Sequence, residues 1–125
     1  MNAPAFTQID STPWPSGYPE AIAVTRVQPE LFSRAFGLTF SEGFDNLGEY
    51  TAATIRLRSG RMLGLLRHVG DPGPGTEVYA DANDEFVGAL REFLDAFDLS
   101  AEDLSWMRDE ISAGQLRLAQ AQAHA

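Results

Sequence analysis

Apolar and polar residues follow two rhythms along this chain, and the change of rhythm near residue 83 divides it. Over 49–68 the period is two: EYTAATIRLR and RMLGLLRH flank Ser59-Gly60, a pair that favours a tight turn, so the segment predicts a β-hairpin. With a two-residue turn, Arg58 faces Arg61, Leu57 faces Met62, Ile55 faces Gly64 and Ala53 faces Leu66. That register puts Ala53, Ile55, Leu57, Met62 and Leu66 on the core face, and Arg56, Arg58, Arg61 and Arg67 on the other. The β-branched run AIAVTRVQ over 21–28 predicts a preceding strand. After the Gly- and Pro-rich loop VGDPGPGT (69–76), EVYA over 77–80 predicts a further one.

From residue 83 the spacing becomes three and four. Phe86, Val87, Leu90, Phe93, Leu94 and Phe97 form one stripe, which predicts an amphipathic helix starting near Asn83. Ser100-Ala-Glu-Asp103 has the form of a capping start, so a second helix is expected with Leu104, Met107 and Ile111 on its buried stripe and Gly114 at its end. The tail LRLAQAQAHA has good helix formers but a poor apolar face, and either extends that helix or frays. Upstream, Pro29 at a first turn, Glu30 beside it and Gly37 at a C-terminal cap predict a short helix over 29–36. LTFSEGF (38–44) suits a strand or an ordered loop. Residues 1–20, with Pro4, Pro13, Pro15, Pro19, Ser11, Ser16 and Gly17, form an extended arm that Phe6, Trp14 and Tyr18 should pack down.

The expected fold is therefore one α+β domain: an antiparallel meander of three to four strands, its central hairpin at 49–68, packed by two C-terminal amphipathic helices. At 125 residues the chain closes a single core, with arm (1–20), strands (21–80), acidic helices (81–112) and tail (113–125) as its parts.

Charge changes the picture most. The net charge is −9, and between residues 81 and 112 ten acids stand against Arg91 and Arg108, which leaves −8 in that segment. The 49–68 hairpin carries four Arg and one acid. All nine basic residues are Arg, which removes lysine chemistry and the P-loop lysine, and there is no Cys for a disulfide, a thiolate ligand or a nucleophile. Such acidity opposes binding to nucleic-acid phosphates. The N-terminus has no signal-peptide pattern and no stretch reaches a membrane span, so a soluble, cytoplasmic protein is expected.

Catalytic candidates are few. His68 is followed by Asp71, with Glu77 and Tyr79 on the next strand, and a general acid/base pair can be built from these. A ligand-binding or catalytic module using Arg67, His68 and Asp71 beside a pocket is one alternative, and an accessory subunit of a larger complex is another. His68 and His124 have no metal-ligand spacing, and Gly70-Asp-Pro-Gly-Pro-Gly75 lacks the Lys and helix N-terminus of a phosphate cradle, so neither metal nor cofactor is predicted. Arg56, Arg58, Arg61 and Arg67 are a candidate anion-binding patch unless nearby acids, including Glu42, Asp45 and Glu49, pair with them.

On the expected second helix, Trp106 falls opposite the buried stripe, among Glu102, Asp109 and Glu110, an aromatic anchor inside a charged rim. In size, charge and α+β pattern the chain is similar to the small acidic immunity proteins with which bacteria block polymorphic toxins. The resemblance implies a cytoplasmic, non-enzymatic interaction protein that occludes a basic partner, with Asp95, Glu102, Trp106, Asp109 and Glu110 as the expected contact.

Overall fold

The structure is a computed structural model describing residues 4–9, 19–73 and 75–123. The order of elements is β1 (Phe6–Ile9), β2 (Pro19–Thr25), α1 (Pro29–Phe36), β3 (Ser41–Asp45), β4 (Gly48–Leu57), β5 (Met62–His68), β6 (Thr76–Asp81), α2 (Phe86–Ala96), β7 (Leu104–Met107) and α3 (Ala113–Ala123). Every strand pairing is antiparallel, and the sheet order is β1-β4-β5-β6-β2-β7. The ten-residue β4 is long enough to hold two partners on one edge: β1 along its C-terminal half and β3 along its N-terminal half.

Among the described residues this gives seven strands and three helices, which overturns the expected meander of three to four strands under a C-terminal pair of helices. The β2 strand is not adjacent to the central hairpin but lies beyond β6, and β7 extends the sheet past it. One helix, α1, precedes the hairpin. It spans the residues that Pro29 and Gly37 delimit, and Gly37 adopts the left-handed conformation (φ 72°) of a C-cap.

The central hairpin is real but its register is shifted by one residue. Its loop has three residues, Arg58, Ser59 and Gly60, closed by bonds from the Leu57 amide to the Arg61 carbonyl (2.7 Å) and from the Gly60 amide to the Leu57 carbonyl (2.9 Å). Gly60 takes the positive φ (98°) that such a loop places in its last position. Ile55 therefore faces Leu63 and Ala53 faces Leu65. Because side chains alternate, the slip turns the whole of β5 over: Leu63 and Leu65 are fully buried, while Met62, Gly64, Leu66 and His68 lie on the opposite face.

The expected second helix is absent. Ser100 and Asp103 do cap a turn, but it is a single 3₁₀ turn, Ala101–Asp103, after which Leu104–Met107 runs as an edge strand beside β2. A bulge explains the misleading spacing. Trp106 faces Val24 and Leu104 faces Thr25, so Ser105 is an extra residue, and Leu104 and Met107, three apart, both meet the core. In place of a fraying tail stands α3, opened by Ser112: its hydroxyl accepts the Gln115 amide (3.0 Å), and the Gln115 side chain accepts the Ser112 amide (3.4 Å). Among its described side chains, the helix reaches the core through one fully buried residue, Leu116.

All three helices pack on one face of the sheet. Ile22, Ala23, Ile55, Leu57, Leu63, Leu65, Val78 and Ala80 meet Phe32, Leu90, Phe93, Leu94, Phe97 and Leu116 in one cluster. Phe6 from the arm joins it, stacked on Phe97 at 4.6 Å between centroids. Trp14 and Tyr18 lie outside the described residues. No helix among the described residues is long and apolar enough to cross a membrane.

Candidate functional site

The helix-free face has a different composition. Gly64 sits between Thr54 and Tyr79 in the cross-strand row, and without a side chain there the sheet opens into a hollow of about 340 Å³. Ala52, Thr54 and Leu66 make its walls, and Asp45 and Tyr79 supply its polar groups.

Beside the hollow, at the end of β5, is a polar cluster drawn from four segments. His68, the last residue of β5, has only 7% of its side chain exposed. Its Nε2 lies 2.9 and 3.1 Å from the two carboxylate oxygens of Asp45. That hydrogen bond is the first of the causes that hold the Asp45 carboxyl below its ordinary range, so the carboxylate is ionised at neutral pH and Nε2 carries the proton. Asp45 also accepts the Leu47 amide (2.8 Å), so the residue that closes the β3–β4 turn also orients the imidazole. The Tyr50 ring meets His68 edge-on and lies across Gly43, where any β-carbon would collide with it.

On the other side of the imidazole, Nδ1 is 3.9 Å from Glu77 Oε2, and Tyr79 donates its hydroxyl proton to the same oxygen at 2.9 Å. Burial, then that carboxylate, push the Tyr79 phenol well above its usual range, so it remains a donor. Asp71, in the loop after β5, completes the group: ligand atoms of His68, Asp71 and Glu77 all lie within 4.8 Å of one another.

The same end of the molecule exposes an apolar patch. Phe44 faces Glu49 across the β3–β4 ladder, and the Val69 amide bonds to the Glu49 carbonyl from the other side (2.9 Å), so Phe44, Glu49 and Val69 form one row. Phe44 is 75% exposed, Val69 66%, and Leu47 at the hairpin tip 80%. Exposed Glu49 stands within the row, and exposed Glu42 lies on the same side of β3 as Phe44.

The predicted residues are dispersed by comparison. Asp95 sits on α2, bound by Arg91 (3.2 Å) and Gln120 (3.2 Å). Glu102 pairs with Arg117 in α3 at 2.9 Å, and Glu110 with Arg108 at 3.2 Å. Asp109 is exposed in the turn after β7. Trp106, 45% exposed, stands opposite Val24 and so belongs to the helix-free face, across the sheet from Asp95. The expected surface of acidic helices is corrected accordingly, since half of it is strand and turn.

The four Arg of the hairpin do not share a face either. Arg61 reaches α2, where it meets Asp84 (3.1 Å) and Glu92 (3.0 Å), and Glu92 also accepts the Ser59 hydroxyl and amide. Arg58 lies in the same crevice, beside Arg91 and Asp95. Arg67 holds the 69–75 loop by donating to the Gly75 and Asp71 carbonyls (3.0 and 3.1 Å). Arg56, opposite Met62, remains exposed on the helix-free side. Arg67 and His68 thus point to opposite faces and do not form one site. His124 lies outside the described residues.

Sequence reasoning named His68, Asp71, Glu77 and Tyr79 together but missed Asp45, 23 positions before its partner. It also missed Phe44, Leu47 and Val69. The turn residues Asp45, Asn46 and Gly48 were the available signal for the hairpin that carries three of these four. The chain matches no protein-family model, no curated protein and no solved structure.

Proposed function

We propose that this chain is an acidic protein-interaction module that docks the end of its β3–β4 hairpin on a basic protein, in the manner of a toxin-neutralising immunity protein. The observation that carries the reading is the row Phe44–Glu49–Val69 with Leu47 at its tip: three large, exposed apolar side chains with the carboxylates of Glu42 and Glu49 on the same side. Apolar anchors with a charged rim are the usual make-up of an interface centre, and carboxylates around them favour a cationic partner and speed its approach. A net charge of −9 adds long-range steering in the same direction.

The test is capture of a basic protein at low salt from the source cells, followed by titration of the purified pair. The Phe44→Ser/Leu47→Ser variant should weaken binding at least about tenfold, as loss of interface anchors does. Trp106→Ala with Glu102→Arg, on the alternative surface, should leave it within about twofold. A basic product encoded by the adjacent gene is the expected partner. If the wild type retains no basic protein, or the hairpin variant retains it equally, the reading is wrong.

A further inference from the structure

We infer that His68, Asp71 and Glu77 form a binding site for a divalent transition-metal ion, with Asp45 behind the imidazole as the group that orients it. This does not depend on the partner-binding reading above. With Nε2–H donating to Asp45, the Nδ1 lone pair is left facing Glu77, and among the described residues Nδ1 has no hydrogen bond. The 3.9 Å gap between Nδ1 and Glu77 Oε2 is too long for a hydrogen bond. A tetrahedral ion with bonds of about 2.0–2.1 Å holds two ligand atoms about 3.3 Å apart, so binding draws Nδ1 and Oε2 together by roughly half an ångström and turns a lone-pair repulsion into two attractions.

The arrangement has the further parts that bound metals need. A carboxylate on the far nitrogen of a ligating imidazole fixes its tautomer and raises its basicity, which is the position of Asp45. Tyr79 steadies Glu77 in the same way. Asp71 is exposed on the loop, so it can close the remaining distance without disturbing the core, and it leaves the ion open to water on that side. One nitrogen and two carboxylates form a borderline-to-hard set, which suits Zn²⁺ among the common divalent ions. The ion would tie the β3–β4 turn, the end of β5, the following loop and β6 to one point.

The experiment is calorimetric titration of ZnCl₂ into the chelator-stripped full chain, with Co²⁺ absorption as a second readout of a nitrogen–oxygen coordination shell. Wild-type protein should bind one equivalent. Asp71→Asn, whose side chain lies in an exposed loop and whose fold is checked by circular dichroism, should weaken binding at least about tenfold, and so should His68→Ala. Asp45→Asn should weaken it about 10- to 100-fold as an orienting residue. Asp109→Asn, on a distant turn, should leave it unchanged. Failure of the wild type to bind one equivalent, or equal binding by folded Asp71→Asn and wild type, overturns the proposal.

Discussion

The two faces of the sheet are built on opposite principles. Under the helices, Leu63, Leu65, Val78 and Ala80 pack without exposure against Phe93, Leu90 and Phe97, and polar groups are kept to the margin. On the other face the same strands carry Gly64, Leu66, Tyr79, Glu77 and His68, around a hollow rather than a packed layer. A face whose contacts are satisfied only by apolar neighbours stabilises the fold. A face with a buried imidazole held between carboxylates has capacity beyond folding. Alternation along β5 assigns each residue to one of these roles, so adjacent positions should respond very differently to the same change.

The largest expected effect breaks the comparison if it fails. Leu65→Ala should cost about 2–5 kcal/mol as a cavity in the core, and Leu66→Ala, on the helix-free face, less than about 1.5 kcal/mol. Urea melts of the two variants give the answer: equal losses would break the comparison, and a larger loss for Leu66→Ala would return β5 to the unshifted register.

Next comes the junction of the two layers. Glu92 accepts from Ser59 and Arg61, and its replacement by Ala should cost about 2 kcal/mol at pH 7. Burial alone would raise the Glu92 carboxyl, but the Ser59 and Arg61 bonds outweigh it and the value is lowered from 4.5. A carboxyl lowered on folding stabilises fully above its unfolded value and loses that contribution as pH falls through the folded one. The difference between wild type and Glu92→Gln should therefore be present at pH 7 and shrink below about pH 4.5 in parallel melts.

Smaller in stability but larger in function is the exposed rim. Phe44→Ser/Leu47→Ser should change stability by less than about 0.5 kcal/mol while weakening partner binding at least about tenfold. A loss of several kcal/mol in the melt would mean that these side chains hold the fold together. The least effect is ionic: raising salt from about 0.05 to 0.5 M should lower the association rate more than it raises the dissociation rate, in stopped-flow traces of the complex.

Much of the helical face was legible because local signals agreed with packing. Pro29 and Gly37 bracket α1, and the stripe from Phe86 to Phe97 marks α2, which the Glu85 side chain caps through the Gly88 amide (2.7 Å). The central hairpin was legible too, but Ser59-Gly60 is compatible with loops of two or three residues, and one residue decides which face Leu65 and His68 occupy. The bulge at Ser105 gave an edge strand the spacing of a helix, and α3 has almost no apolar stripe to announce it, only the Ser112–Gln115 cap. The site was half legible. His68, Asp71, Glu77 and Tyr79 lie close together in sequence, whereas Asp45 meets them only because β3 folds back on β4 and β5 pairs the other edge of β4.

On the proposed function, the end of the β3–β4 hairpin, not the acidic helix α2, makes the contact with a partner. Amide hydrogen exchange of the free chain and of its complex with the captured basic protein tests this most directly. Protection is predicted over residues 41–50 and 67–71, with α2 unchanged. Protection confined to α2 and residues 101–112, with the hairpin exchanging as in the free chain, would contradict it.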